Sequence, residues 1–253
     1  ACWIAISRAD RVILAGDHCQ LPPTIKCIEA ARGGLGRTLL EKVVLHKPET
    51  VSLLKIQYRM HEDIMRFPSR WFYHDELEAA PEVKYRGILD FDTPASWIDT
   101  SELDLQEKAV AEGTGRLNTG EAELLVRELK NYMERIGIRR ILEEHIDFGV
   151  ISPYRAQVHY LRHLLKKEPF FRPCRRLITV HTVDGLQGQE RDVIMISLVR
   201  ANEKGQIGFL RDLRRMNVAI TRARMKLLIL GEAVTLTRHP FYRELYEYIG
   251  GLR

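Results

Sequence analysis

Leu177-Ile-Thr-Val-His-Thr-Val-Asp-Gly-Leu-Gln-Gly-Gln-Glu-Arg-Asp-Val-Ile-Met-Ile-Ser-Leu-Val-Arg200 decides the fold. Two apolar, β-branched runs, Leu177–Val180 and Val193–Val199, predict strands buried on both faces. Between them lies a polar loop with Thr182, Asp184, Gly185, Gln187, Gly188 and Glu190. Polar and charged groups set between two buried strands point to a ligand at the sheet edge. Gly185 and Gly188 permit backbone shapes and close approaches that other residues resist. Further on, Asn217-Val-Ala-Ile-Thr-Arg-Ala-Arg224 predicts a helix carrying Arg222 just before another strand. Together the two stretches are read as serving one nucleotide and one nucleic-acid strand.

Working outward, Arg11–Ala15 predicts a buried strand ended by Gly16-Asp17, and Ala30–Leu45 a helix after a glycine-rich start. Lys47-Pro48-Glu49 interrupts the pattern and predicts a domain junction, giving domains 1–47 and 48–253. Val51–Ile56 predicts a strand, His61–Tyr73 a helix and Trp97-Ile98 a strand, with Glu107–Gly115 an exposed loop. Asn118-Thr-Gly-Glu121 has the form of a capping box opening a helix to about Arg135. Its apolar face is Ala122, Leu125, Val126, Leu129 and Met133. Phe148–Ile151 predicts a strand and Ser152-Pro-Tyr-Arg155 a turn into a helix. A helix over Asp212–Arg222, a strand over Met225–Leu230 and a helix over Phe241–Ile249 complete the chain. Strands alternating with helices predict an α/β fold, a mostly parallel sheet with helices on both faces.

Composition narrows the class without naming it. The 253 residues suit one large domain or two small ones, with 45% apolar and 29% charged residues. No apolar run approaches the roughly 20 residues that span a bilayer. Four cysteines, Cys2, Cys19, Cys27 and Cys174, form no C-x-x-C pair, which argues against a zinc site or a disulfide framework and for a reducing, cytoplasmic setting. A net charge of +5 permits a polyanionic partner. The chain opens on Ala1 and an apolar run, and is read as a piece of something longer.

Several polar groups are candidates for chemistry. Asp17 and Gln20, in Gly16-Asp-His-Cys-Gln-Leu-Pro-Pro23, follow a predicted strand, where open α/β sheets bind ligands; a proline-stiffened solvated loop is the plainer reading. In Gln57-Tyr-Arg-Met60, Tyr58 offers a ring to a base and Arg59 a cation to a phosphate, or the two are an ordinary surface pair. Ser152 and Tyr154 sit at a helix start suited to a backbone phosphate, or Ser152 simply caps the helix. Thr182 is a further phosphate contact, Glu190 a partner for a ribose hydroxyl, and Arg222 a cation for charge on a transferring phosphoryl group. Arg211, Arg214, Arg215 and Arg224 are read as lining a solvated or nucleic-acid face. No His/Cys or paired-carboxylate cluster has metal-site spacing, so no metal site is assigned.

In order and wording these blocks resemble superfamily-1 helicases, in the branch of the nonsense-mediated-decay and immunoglobulin-switch-region-binding helicases. Gly16–Pro23 looks like that family's motif III, Gln57–Met60 like motif IV, Thr182–Glu190 like motif V and Val218–Arg224 like motif VI. The resemblance covers Ala1 to about Leu230. It implies a RecA-like P-loop NTPase fold, with ATP and Mg2+ between two such domains and single-stranded DNA or RNA across their tops. By that likeness Gln20, Arg59 and Arg222 act at the γ-phosphate, Tyr58 stacks near the adenine and Glu190 meets the ribose. Gly188 and Asp17 belong to the same nucleotide site, and Ser152, Tyr154 and Thr182 to the nucleic-acid track.

The chain has no G-x-x-x-x-G-K-[ST] and no Gly-Lys dipeptide. It also lacks an apolar strand ending in Asp-Glu; Asp75-Glu76 follows a predicted helix instead. The main phosphate and Mg2+ ligands are therefore expected from a partner, the N-terminal RecA-like half. The first 47 residues are read as the tail of that half, and residues 48–253 as the second RecA-like domain. Two function classes follow: part of an ATP-driven helicase or translocase, inactive as an isolated chain, or an ATPase-inactive module that binds single strands.

Overall fold

A computed structural model describes residues 4, 6–22, 27, 29, 31–110 and 115–252. The chain divides into two compact units, Ala1–Leu53 and Leu54–Arg253. The break lies a few residues beyond the expected junction after Lys47.

In the first unit, Arg11–Ala15 pairs with no described strand and Ile13 is 96% exposed, against the expected buried strand. A strand persists only where a neighbour takes up its N–H and C=O groups, and no described residue offers one. The helix expected over Ala30–Leu45 forms in two pieces, a π-helical segment over Ala31–Leu35 and α1 (Leu39–His46), and Ala30 and Pro23 lie outside the described residues. Its start is fixed by a reciprocal cap: the Glu41 amide donates to Thr38 Oγ1 at 3.1 Å and the Thr38 amide to Glu41 Oε2 at 2.6 Å. Leu21 is the sole buried hydrophobic residue among those described in this unit.

The second unit opens with β1 (Ile56–Gln57), all that forms of the strand expected over Val51–Ile56. β1 pairs in parallel with β2 (Glu78–Ala79) across α2 (Glu62–Phe72). α3 (Pro81–Lys84) and β3 (Ala95–Asp99) follow. The expected exposed loop at Glu107–Gly115 instead contributes β4 (Lys108–Ala109), which pairs antiparallel with β5 (Arg116–Leu117); residues 111–114 lie outside the described residues. Then come α4 (Thr119–Ile136), α5 (Ile138–Glu143), β6 (Phe148–Ser152), α6 (Arg155–Lys167), β7 (Ile178–Thr182) and β8 (Arg191–Ser197). The unit ends with α7 (Leu213–Ile220), β9 (Ala223–Gly231), α8 (Ala233–Leu236) and α9 (Pro240–Gly250).

Five strands form one all-parallel sheet in the order β3-β9-β8-β6-β7. Side chains alternate along each strand, so Val150, Val193 and Met195 face one side and Ile194, Ile196 and Ile229 the other. The first set packs against Ala122, Leu125, Leu129 and Met133 of α4 and Val158 and Leu161 of α6. Each such fully buried aliphatic side chain contributes about 1.5–3 kcal/mol. The second face is covered by α2, α7 and α9, which meet β9 and β3. Phe67 and Phe241 lock α2 to α9, their rings edge-to-face at 5.2 Å.

β7 departs from its expected two-sided burial. It is the sheet's edge strand, and only Val180 of its five residues is buried. β8, second in from that edge, is buried from Asp192 to Ser197 as expected.

Candidate functional site

The predicted site residues of the second unit fall on two opposite edges of the sheet. Thr182 ends β7 at the carboxyl edge, beside Ser152 of β6 in register. Glu190 precedes β8 at the amino edge. By strand rise these levels lie roughly 20 Å apart, and the loop 183–190 runs the height of the sheet between them. One ligand therefore does not take both Thr182 and Glu190, and the loop expected at one sheet edge spans two. Gly188 turns the loop with a φ of +80°, a conformation costly for a side-chain-bearing residue. Gly185 has no such backbone and sits against His181.

The amino edge gathers Arg59, Glu190 and Arg222. Arg59 Nε donates to Glu190 Oε2 at 2.5 Å, and its Nη1 to the Thr221 carbonyl at 3.0 Å. The turn that presents Arg59 is held by Gln57, whose Oε1 accepts from the Arg59 and Met60 amides at 2.9 and 2.7 Å. Beside it the Tyr58 ring is 68% exposed. Arg222 was expected on a helix, but α7 stops at Ile220 and Arg222 follows the cap. Its guanidinium is buried, the residue only 2% exposed. It donates to the Val218 carbonyl at 3.0 Å, the Gln189 carbonyl at 3.1 Å and Thr221 Oγ1 at 3.2 Å. A cation is favoured there because it meets the negative, carbonyl end of α7.

Arg224 proves to be part of this edge rather than of a solvated face. A bulge puts an extra residue of β9 opposite Arg191–Val193, and bulges re-aim the side chains they carry. Arg224 reaches Asp147 at 3.2 Å, Asp192 at 3.3 Å and Glu190 at 3.8 Å. Burial raises the Asp192 carboxyl above its ordinary range, with Arg224 opposing the shift. Asp147 and Asp192 stand far apart in sequence from Arg224, and no local pattern marks them as its partners.

At the carboxyl edge, Ser152 and Tyr154 are less available than expected. Ser152 is fully buried and its Oγ accepts from the Tyr154 amide at 3.4 Å. The cap position of α6 belongs to Tyr154, without a side-chain cap. Tyr154 is itself buried, and its hydroxyl accepts from Arg200 Nη1 at 3.3 Å. Both residues shape the edge from beneath, while Thr182 is half-buried at its rim.

A buried polar network lies below that rim. Asn118 caps α4 through Oδ1, which accepts from the Glu121 amide at 3.0 Å. Glu121 does not complete the capping box: its Oε1 accepts from Ser197 Oγ at 2.6 Å and the Val199 amide at 2.8 Å. Gln157 Nε2 donates to Ser197 Oγ at 2.9 Å and to the Asn118 carbonyl at 2.9 Å. Val199 has a φ of +71°, a strained state for a β-branched residue. Burial raises the Glu121 carboxyl to about 7, opposed by the bonds from Ser197 and Val199.

In the first unit, Asp17 and Gln20 form a local turn: Asp17 Oδ1 accepts from the Cys19 amide at 2.9 Å and Oδ2 from Gln20 Nε2 at 2.8 Å. No described strand precedes them, so they occupy no sheet edge among the described residues. Ligand atoms of Asp17, His18 and Cys19 lie within 4.8 Å of one another. Both Asp17 oxygens are already engaged and burial pushes the Cys19 thiol up to about 11, which disfavours the thiolate a metal needs. Among the described residues, no helix is long and apolar enough to cross a membrane.

Comparison with known proteins agrees with the motifs. A family model described as an AAA domain matches residues 35–234, and a second model of that description matches residues 1–27. The chain is 36% identical over 259 residues to DNA-binding protein SMUBP-2 of Rattus norvegicus, covering 98% of this chain and 25% of that protein. It is 37% identical to DNA polymerase alpha-associated DNA helicase A of Saccharomyces cerevisiae, covering 94% and 37%. It is 35% identical to the Regulator of nonsense transcripts 1 homolog of Drosophila melanogaster, covering 95% and 20%. The chain thus spans well under half the length of these relatives. With a matching family model over most of its length and the helicase motifs in order, the chain belongs to the AAA-domain family as a portion of a superfamily-1B helicase.

Proposed function

We propose that this chain is the C-terminal part of an ATP-dependent helicase or translocase on single-stranded DNA or RNA, and that it works in the cytoplasm. The observation that carries the reading is the amino edge: Arg59, Glu190 and Arg222, distant in sequence, meet through Thr221 and Gln189. The residues there suit a nucleotide. Tyr58 presents an exposed ring for a base, Glu190 an acceptor for a ribose hydroxyl, and the two arginines donors for phosphate oxygens.

ATP with Mg2+ supplies the phosphoryl group whose transfer drives the cycle. The P-loop and the main Mg2+ ligands come from a partner segment, the N-terminal RecA-like half, to which residues 1–47 belong; residues 48–253 form the second such domain. Asp17 and Gln20 act in that first half, Gln20 orienting toward the terminal phosphate. In the second half Arg59 exchanges Glu190 for phosphate oxygens, which frees the carboxylate to accept from the ribose. Arg222 stabilises charge on the transferring group. Gly188 keeps the loop before Glu190 close to the nucleotide. At the opposite edge Thr182 meets the nucleic-acid backbone, while Ser152 and Tyr154 fix the start of α6 beneath it.

In the full-length protein, Arg222→Ala should lower ATP hydrolysis by about 10³-fold or more while single-strand binding stays nearly intact. Hydrolysis that survives this change contradicts the assignment. Because Arg222 is buried, Arg222→Lys, which retains the cation, serves as the folding control.

A further inference from the structure

The loop after β8 holds one aromatic ring toward solvent between two buried apolar residues. Ile207 and Leu210 are buried, and Tyr242 Oη donates to the Leu210 carbonyl at 2.8 Å. Between them Phe209 is 43% exposed. Its ring lies over Tyr154 with centroids 5.5 Å apart, and the Arg215 guanidinium stands 5.9 Å from its centroid. Gly208, at a φ of +56°, packs against the Arg200 guanidinium and the Tyr154 hydroxyl where no Cβ fits. Arg200 is buried and anchored by Glu107, its Nε donating to Oε2 at 2.6 Å. Glu107 Oε2 also accepts from the Ala201 amide at 2.9 Å. The ring is therefore held in place by a buried ion pair and by the polypeptide on either side of it.

Its position has chemical meaning. Tyr154, on which it rests, follows Ser152 at the end of β6, next in register to Thr182. Arg155 and Arg211 are exposed nearby in sequence on the two segments that meet at the Tyr154–Phe209 stack, and neither pairs with a described residue. A rigid exposed ring among cations suits a flat, electron-rich group attached to an anion, which describes an unpaired nucleobase on its phosphate.

We infer that Phe209 is a base-stacking platform for single-stranded nucleic acid, backed by Tyr154 and flanked by Arg215. The inference rests on the proposed nucleic-acid function and deepens it by naming a contact to a base rather than to the backbone. Stacking is indifferent to sequence because every base has a π face, and it survives the exchange of DNA for RNA.

The test compares the whole chain with Phe209→Ala and Phe209→Trp, using fluorescein-labelled oligothymidylate and an abasic strand with the same number of phosphates. Phe209→Ala should weaken oligothymidylate binding by about tenfold and leave abasic binding unchanged. Phe209→Trp should retain affinity, and oligothymidylate but not the abasic strand should quench its indole fluorescence. Equal losses on both strands, no loss on either, or an unquenched indole would overturn the platform while leaving nucleic-acid binding in place. A wild-type chain that binds neither strand would overturn the nucleic-acid reading itself, and the platform with it.

Discussion

Glu121 accepts two hydrogen bonds on one oxygen, and its other oxygen is buried without a partner among the described residues. Its carboxyl is raised from 4.5 to about 7, so the native state holds this proton more tightly than the unfolded chain. The stabilisation is complete below pH 4.5 and is lost as pH rises through about 7, a swing on the order of 3 kcal/mol. Glu121→Gln keeps an acceptor for Ser197 and Val199 and removes the titration. Thermal melts from pH 4 to 8 should therefore show the variant gaining on the parent as pH rises; parallel curves would refute the buried proton. This role was not legible in sequence, where Glu121 reads as the reciprocal member of a capping box. The box is defined by spacing, whereas its failure here comes from Ser197 and Val199, which only the folded sheet brings near. The same holds for Tyr154, which reads as an exposed contact and is buried by the loop after β8. The sequence marks Arg59 and Glu190 as candidate ligands, but not their pairing with one another.

α4 and the strands it covers were read nearly residue for residue, since a helix with one apolar face and a buried central strand each leave a strong periodicity. Ala122, Leu125, Leu129 and Met133 are fully buried as that period requires. Reading was weakest where an element depends on its neighbours. Leu177–Val180 looks like a central strand yet forms the edge strand β7, and Arg11–Ala15 looks like a strand yet pairs with nothing described. Asn118 joins these levels: it caps α4, and its Nδ2 donates to the Leu105 carbonyl at 2.7 Å. Asn118→Ala removes the cap and takes this donor from the part-buried Leu105 carbonyl. The expected loss is about 2 kcal/mol by urea denaturation, with an unchanged m-value. A loss below about 0.5 kcal/mol would mean that packing alone holds this helix start.

At the scale of the whole chain, the alternation of strands and helices predicted the parallel sheet correctly. Strand order was not predicted, because register and neighbour choice are set by long-range packing. The first unit buries one described hydrophobic residue, Leu21, while the second carries a continuous core on both sheet faces. The second unit thus has the means to fold and to present an arginine edge, but the chain contains no P-loop sequence to cradle phosphates. On the proposed function this chain supplies one side of a shared ATP site. The measurement that tests it most directly is phosphate release by the purified chain with Mg2+, ATP and a single-stranded polynucleotide. No turnover above background is expected. Clear turnover that Arg222→Ala abolishes would contradict it, since the chain would then hold a complete site of its own.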